Sequence, residues 1–283
     1  MVINLTVLST MKWSKPFFVM LPCLIFIMTA RAHDPIFGAG PHVIFKGGVE
    51  MHVGTHQEKA GDARVSTAEF RLKYGISGDW VAGISIPYVR REGREHTDNA
   101  RGPTSVSTKY RFWRNDMQGA QESSAFFGEV IFADGDSGPQ GQLRRDGNDY
   151  LLGLTYGYEG RKWYRFASVR RRFNREAANG AQRPDIWLLD LVVGIRPTPT
   201  EYLEPDWVWM LELNGEITEN VINLVGNSSV RAGGKQLFLS PGLMWTYRNI
   251  AVKTGVQFSI QDDMAAGQEP DDYRALLEFE WHY

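Results

Sequence analysis

The sequence predicts an antiparallel β-barrel of twelve strands that spans a membrane. Three observations predict it. Segments of 11 to 13 residues alternate apolar and polar side chains, the connections between them alternate between long and short, and the last segment ends at Tyr283. Successive side chains of a strand point to opposite faces, so one face suits hydrocarbon and the other suits water. Even strand number, short turns at one end and longer loops at the other are typical of outer-membrane barrels.

An export signal is predicted at the start of the chain. Lys12 and Lys15 precede an apolar run from Pro16 to Met28, and Ala30 to Ala32 forms a small-residue cleavage site. The run has 13 residues, fewer than the roughly 20 that a spanning helix needs. We therefore expect residues 1–32 to be a cleaved signal peptide.

The remainder is expected to form one domain. Residues 33–283 would be a single outer-membrane barrel, in which 33–41 is a short periplasmic N-terminal segment. The one cysteine, Cys23, lies inside the apolar run of the signal, so no disulfide framework is expected. Both Met1 and Met11 remain possible starts, because Met11 directly precedes the basic region.

The charge balance argues against nucleic acid as a partner. The chain has 31 Lys and Arg residues and 33 Asp and Glu residues, a formal net charge of −2. Proteins that bind nucleic acid usually carry a basic face or domain. We therefore expect no nucleic-acid partner.

Twelve segments fit the strand pattern, each bounded by residues that favour turns. They are 42–53, 64–76, 79–91, 104–114, 123–133, 148–159, 162–174, 185–196, 207–218, 236–247, 250–261 and 272–283. Long polar connections are expected at 54–63, 92–103, 134–147, 175–184, 219–235 and 262–271. Tight turns are expected at 77–78, 159–161 and 248–249, with longer exceptions at 115–122 and 197–206. A soluble sandwich has no reason to alternate its loop lengths.

The final segment shows the alternation most strictly. Leu277 and Phe279 lie on one face, and Glu278 and Glu280 lie on the other. Taken alone, this pattern also fits a half-buried edge strand of a soluble sandwich. In a barrel the segment would pair with the first strand, which removes the unpaired edges that lipid cannot satisfy.

Aromatic residues near the strand ends are expected to form belts at the two membrane interfaces. They are Trp80, Tyr88, Trp163, Trp207, Trp245, Trp281 and Tyr283. Outer-membrane lipids are therefore expected partners. The terminal aromatic Tyr283 resembles the C-terminal signature that bacterial outer-membrane proteins present to their assembly machinery, which is a second expected partner.

Three stretches carry a resemblance to a known family. They are "RLKYGISGDWVAGISIPYVRR" (71–91), "VSTKYRFWR" (106–114) and "EVIFADGDSG" (129–138). The sequence resembles the outer-membrane β-barrel family described as a channel or transporter of the phenol meta-degradation pathway. At the third stretch the family usually has a Pro-Thr-Gly-Asp-like sequence, from which "ADGDSG" departs. The resemblance implies transport across the outer membrane of a Gram-negative-type bacterium, with hydrophobic or aromatic solutes suggested by the family's description.

The polar parity of the strands predicts which side chains line the lumen. The candidates are His42, Lys46, Glu50, His52, Glu69, Arg71, Lys73, Lys109, Arg111, Glu129, Asp190, Arg196, Glu212, Glu216, Lys253, Gln257, Arg274, Glu278, Glu280 and His282. Both signs of charge are present. They could orient small dipolar or aromatic solutes, or they could simply pair with one another across a modest lumen.

The histidines suggest a second hypothesis, because most of them lie near the start of the barrel domain. If cleavage follows Ala32, His33 becomes the terminal residue, and an amine beside an imidazole is a ligand pair suited to copper. Ordinary lumen and loop histidines are the alternative. On one strand, His42 and His52 would lie about 33 Å apart and could not share an ion.

No catalytic constellation is recognisable. The chain has no Gly-x-Ser-x-Gly, His-Glu-x-x-His or phosphate-loop motif, so neither an enzyme nor a cofactor is expected. A loop protease using His56 or His96 remains open, because Asp62 and Asp98 lie nearby in sequence. The function predicted is passive passage of small solutes, and the alternative is a closed binding or structural barrel linked to metal handling.

Overall fold

The computed structural model describes residues 33–94, 97–133, 147–177, 180–200, 204–225, 228–266 and 268–283. The predicted signal peptide lies outside these residues and stays a prediction. No helix among the described residues is long and apolar enough to cross a bilayer.

One antiparallel sheet contains the thirteen strands found in the described residues. In chain order they are β1 (Val49–Ala60), β2 (Ala63–Gly75), β3 (Trp80–Glu92), β4 (Thr97–Arg101), β5 (Ser105–Met117), β6 (Ala120–Ile131), β7 (Asp149–Gly160), β8 (Trp163–Phe173), β9 (Ile186–Ile195), β10 (Asp206–Val225), β11 (Ser228–Tyr247), β12 (Ile250–Met264) and β13 (Tyr273–His282). Because β1 pairs with both β2 and β13, and β2 pairs with β3, twelve strands close into a ring. The prediction of a twelve-stranded barrel is confirmed.

The extra strand β4 lies within the predicted long connection 92–103. It pairs with the second half of β3, from Tyr88 to Glu92, where β5 no longer reaches. The loop between β3 and β5 therefore extends the sheet beyond the ring without adding a strand to it.

Barrel closure depends on the first and last strands. Val49 and Tyr283 exchange two backbone hydrogen bonds, of 2.9 and 2.8 Å. The ladder continues from the pair Glu50 and His282 to the pair Lys59 and Tyr273. We call the end where β1 begins and β13 ends the proximal end, and the opposite end the distal end.

The outer surface of the ring is apolar. Exposed side chains on it include Val53, Ile84, Phe126, Leu152, Leu191, Trp209, Phe258 and Leu277. The proximal end carries Trp80, Trp163, Trp207, Trp245, Trp281 and Tyr283, and aromatic residues closer to the distal end include Tyr88, Tyr150, Phe173 and Trp187. An apolar band between two aromatic belts is the surface of a barrel that spans an outer membrane. The short turns mark the proximal end as the periplasmic side.

The first strand differs from its prediction. It runs from Val49 to Ala60, not over 42–53, and a two-residue turn at Gly61 and Asp62 replaces the long connection expected at 54–63. The polar residues of 54–60 continue the ladder with β2. Their polarity indicated a loop, yet Thr55 pairs with Leu277 and Lys59 with Tyr273, so the strand continues through this stretch without an apolar alternation of its own.

The same reasoning explains the connection expected at 219–235. Strands β10 and β11 each have 20 residues and form a long hairpin that continues past Thr218, with a register shift between Thr218 and Val221. Because this part extends beyond the apolar outer band, its residues lack the pattern by which the membrane portion was recognised.

The largest correction concerns residues 33–48, which we call the inner segment. Residues 33–41 were expected to be a short periplasmic segment, yet most of the inner segment lies inside the barrel, and only its turn at 45–47 is exposed. Ile36 is buried there in a core formed by side chains from four strands, β8 to β11. The other core members are Tyr164, Phe166, Val192, Val208, Met210 and Met244. These inward apolar residues provide the packing that holds the segment.

We predict that the Tyr283 ring serves assembly more than stability. The side chain is 74% exposed, and its ring stacks on Trp281 at 5.7 Å. Substitutions on the lipid face near an interface change stability by only about 0–1 kcal/mol. Tyr283→Ala keeps the backbone bonds to Val49, so it should lower the yield of inserted barrel in cells while detergent-refolded protein remains nearly as stable.

Tyr283→Phe is the matched control, because it retains the aromatic ring. Inserted protein is measured by heat-modifiable migration of the outer-membrane fraction on gels. An unchanged yield of Tyr283→Ala would contradict the assembly role.

Candidate functional site

A cavity of about 530 Å³ lies within the barrel, with part of the inner segment in its wall. Fifteen predicted lumen residues line it, together with apolar side chains such as Phe37, Phe127, Leu151 and Leu276. These fifteen are His42, Glu50, His52, Glu69, Arg71, Lys73, Lys109, Glu129, Asp190, Glu216, Lys253, Gln257, Arg274, Glu278 and Glu280. The cavity therefore presents both signs of charge beside apolar surface.

Glu212 anchors the inner segment to the barrel wall. Its carboxylate accepts hydrogen bonds from three consecutive backbone N–H groups, those of Ile36 (2.7 Å), Phe37 (3.2 Å) and Gly38 (2.8 Å). Consecutive N–H groups that converge in this way form an anion-binding nest. Glu212 is fully buried, so its carboxylate holds the inner segment and does not face the open lumen.

Asp34 provides a second anchor. Its Oδ2 lies 2.8 Å from the Lys109 ammonium of β5, and its Oδ1 accepts a bond from the His42 backbone N–H. The inner segment is thus attached to the wall at β10 by backbone hydrogen bonds to Glu212 and at β5 by an ion pair, in addition to the packing of Ile36.

Five predicted lumen residues do not line the cavity, namely Lys46, Arg111, Arg196, Glu212 and His282. Arg111 is buried near the proximal end, where it binds the Asp79 carboxylate at 2.8 Å and the Gly78 carbonyl. Lys46 is exposed in the turn of the inner segment. Its placement in the lumen was wrong, because residues 42–48 precede the first strand instead of belonging to it.

A hydrogen-bonded belt crosses strands β8 to β12 beside the inner segment. Asp190 accepts bonds from Ser168 (2.5 Å), Arg170 (2.7 Å) and Asn214 (2.8 Å). The Asn214 side-chain oxygen in turn accepts bonds from Ser240 and Gln257. Each side chain of the belt has at least one hydrogen-bond partner, so the belt stabilises the wall.

Toward the distal end the charges pair differently. Arg274 binds Glu216 through two nitrogens, at 2.5 and 2.9 Å. Bidentate arginine–carboxylate pairs are geometrically rigid, so this pair fixes two charges at the distal part of the cavity. Nearer the middle of the barrel, Arg71 of β2 lies 2.6 Å from Glu69 and 3.7 Å from Glu278.

At the proximal end a denser network surrounds Glu50 and Glu280. Glu50 binds His52 at 2.6 Å and Lys73 at 2.6 Å, while Glu280 lies 2.5 Å from Lys253. All five side chains are largely buried. The opposite charges compensate one another in a region that water does not reach freely.

The predicted separation of His42 and His52 was wrong. His42 Nε2 lies 3.9 Å from Glu50 Oε2, and His52 Nε2 lies 2.6 Å from Glu50 Oε1. The estimate assumed that both histidines belonged to one strand. The inner segment instead folds back into the barrel and brings His42 beside the carboxylate that His52 also contacts.

One of the two histidines weighed for a loop protease lies in a strand. His56 lies in β1, lines the cavity and is 3.8 Å from Glu58. His96 lies outside the described residues.

Sequence reasoning missed the apolar half of the site. Inward glycines were the available signal, because at several of them, including Gly75, an added Cβ would approach the inner segment. It would come within 2.2 Å of Ile36 at Gly242, 2.8 Å of Phe37 at Gly255 and 2.9 Å of Pro41 at Gly157. Glycine at these lumen positions leaves the space that the segment occupies.

No protein-family model matches the chain, and no curated protein matches it. Solved structures do match. A crystal structure of an outer-membrane channel from Pseudomonas putida F1 has a TM-score of 0.61 at 11% identity and covers 89% of this chain and 100% of that one. The NanC porin has a TM-score of 0.50 at 10% identity, with 82% and 98% covered. The predicted resemblance to outer-membrane channel barrels is confirmed at the level of the fold.

We predict that a methyl group at position 242 will displace the inner segment. Gly242→Ala should destabilise the barrel by about 1–3 kcal/mol, the usual cost of overpacking, because Cβ would meet Ile36 Cδ1 at 2.2 Å. Ile36→Val removes that atom, so the double variant should recover part of the loss. The free energy of unfolding is measured by denaturant titration in detergent micelles.

Gly215→Ala is the matched control, since its Cβ would meet its nearest neighbour at 3.7 Å, an ordinary contact. Strictly additive losses in the double variant would show that the segment is not packed as described.

Proposed function

We propose that this barrel allows small solutes to pass passively across the outer membrane through its interior. The observation that carries the proposal is the cavity of about 530 Å³ inside a closed ring of strands. Cavities of this order accommodate small molecules. The chain shares its fold with the outer-membrane channel from Pseudomonas putida F1 and with the NanC porin, and this likeness supports the same class of function.

The solutes that fit this cavity best are small and partly apolar, including aromatic compounds. Phe37, Phe127, Leu151 and Leu276 provide apolar contact in the cavity wall. The nearby charges are already paired with one another. They therefore polarise a solute, and the solute itself does not need to carry a charge. The resemblance to a phenol-pathway family points to the same solutes.

Passage requires the inner segment to shift, because it occupies the proximal part of the lumen. Its anchors are the Glu212 carboxylate and the pair formed by Asp34 and Lys109. The alternative, a closed binding or structural barrel, is favoured only if these contacts never open.

We also infer that the chain is not an enzyme, and that it contacts lipids through its aromatic belts and the assembly machinery through Tyr283.

We predict that reversing cavity charges will change ion selectivity in opposite directions. Glu129→Lys should move the selectivity of purified protein in planar bilayers toward anions, and Arg71→Glu should move it toward cations, because both side chains line the cavity. Glu58→Lys serves as the control, since Glu58 belongs to β1 near the distal turn and does not line the cavity. Absent conductance under every condition would contradict passage and favour the closed barrel.

A reversible cross-link tests whether the segment must move. The ideal Cβ of Gly38 lies 3.1 Å from the Asp190 Cβ, slightly inside the usual disulfide separation of about 3.5–4.5 Å. The only natural cysteine is Cys23, so Gly38→Cys with Asp190→Cys introduces one pair. Conductance should fall on oxidation and return on reduction, and the reduced form of the same variant is its own control. Equal conductance in both forms would contradict segment movement while leaving the channel proposal intact.

A further inference from the structure

A group of buried histidine and glutamate side chains lies where the inner segment meets β13. His33 Nδ1 lies 3.1 Å from Glu280 Oε2, and His282 Nε2 lies 3.7 Å from the same oxygen. The two imidazole ring centroids are 5.2 Å apart. One potential ligand atom from each residue lies within 4.8 Å of the other two. The inner segment thus places one histidine beside a histidine and a glutamate of the last strand.

These separations suit a shared metal ion. Ligand atoms at about 2.0–2.2 Å from a tetrahedral ion lie about 3.3–3.6 Å from one another. The distances from Glu280 Oε2 to the two imidazole nitrogens, 3.1 and 3.7 Å, lie on either side of that range. Small adjustments of side chains would therefore place all three atoms around one ion.

His282 provides an independent observation. Its side chain is 1% exposed, and among the described residues neither of its ring nitrogens has a hydrogen-bond partner. Buried polar atoms without partners are rare and call for an explanation such as an ion. The Nδ1 atom lies 3.2 Å from Glu50 Oε2 without hydrogen-bond geometry, so a small ring rotation could make that bond while Nε2 binds a metal.

The surroundings of these atoms match the outer shell of a metal site. Metal-binding histidines usually donate their second ring N–H to a carboxylate or carbonyl, and metal-binding carboxylates are themselves held by hydrogen bonds. Glu50 occupies that position for His282. Lys253 forms an ion pair with Glu280, because its ammonium lies 2.5 Å from Oε1, without hydrogen-bond geometry, and leaves Oε2 toward the histidines.

A neighbouring group is a weaker candidate. His52, Glu278 and Glu280 also bring potential ligand atoms together. However, His52 Nε2 is bonded to Glu50 at 2.6 Å and Nδ1 to Glu278 at 3.1 Å. Both ring nitrogens of His52 are hydrogen-bonded to carboxylates, whereas the hydrogen bond of His33 Nδ1 is to Glu280 Oε2 itself, and an ion between those two atoms would replace it.

We propose that His33, His282 and Glu280 bind one divalent transition-metal ion of the zinc and copper class. Two imidazoles and one carboxylate suit these ions, whereas magnesium and calcium prefer ligand sets made of oxygen. The ion connects the inner segment to β13. This proposal does not depend on solute passage, because binding and stability can be measured on a barrel of either function.

The test uses the full barrel purified from membranes in detergent and stripped of metal with a chelator. The protein is then dialysed against buffered free Zn²⁺, and bound zinc is measured by mass spectrometry. Wild-type protein should bind one zinc ion and unfold at a higher temperature with zinc than without it. His33→Ala and Glu280→Gln should each weaken zinc binding at least about tenfold.

His33 precedes the first strand, so His33→Ala keeps the test valid even if changes in β13 impair folding. His56→Ala is the matched control, because it removes another interior histidine and should leave zinc binding unchanged. The proposal is overturned if wild-type protein binds no stoichiometric zinc, or if His33→Ala binds it as tightly as wild type.

One further variant separates this site from a copper or zinc site at a free amino terminus. An alanine inserted before His33 would move a terminal amine away from the imidazole but leave the three side chains in place. Retained zinc binding supports the proposed ligand set, and its loss contradicts it.

Discussion

Every strand in this protein depends on one constraint, which is that backbone polar groups in a bilayer must bond to one another. Water is absent there, and an open sheet edge would leave unpaired N–H and C=O groups at a cost of several kcal/mol each. The ladder between β1 and β13 removes that edge, beginning with the two bonds between Val49 and Tyr283. Once the ring is closed, its outer surface is set by lipid and its inner surface is free to carry polar chemistry.

The inner surface creates a second constraint, because charges that face a narrow lumen must be compensated. The way in which the charges are compensated differs between the two ends of the barrel. At the proximal end, buried lysines and histidines surround Glu50 and Glu280. At the distal end, Arg274 forms a bidentate pair with Glu216. The two suggested roles of these charges are therefore compatible. Paired groups can stabilise the wall and still present a polarised surface to a solute.

The inner segment joins these two constraints. Its apolar side chain Ile36 needs an apolar surface inside a barrel whose lumen is otherwise polar, and inward residues such as Val208 and Met244 supply it. Its backbone N–H groups need acceptors because the ladder does not reach them, and Glu212 supplies one carboxylate for three of them. The same segment brings His33 to His282 and Glu280, so a metal ion there would add a third kind of attachment.

The sequence by itself determined the fold class, the strand number and the direction in which most side chains point. Those features follow from a period of two, which lipid imposes on every strand between its two interfaces. Thus the alternation in 272–283 places Glu278 and Glu280 on one face, and both line the cavity. Where the strands lack the apolar alternation, as in 54–60 and beyond Thr218, the strand boundaries were missed.

Only the tertiary structure decided what fills the barrel. The positions of residues 33–48 depend on contacts with five or more strands that are distant in sequence, such as those of Ile36 with Met210 and Met244. No local pattern encodes a contact of that kind, although the lumen glycines at 157, 242 and 255 leave room for it. The meeting of His33, His42 and His282 near Glu50 and Glu280 arises for the same reason. A chain that folds back into its own barrel brings together residues that a strand-by-strand reading keeps apart.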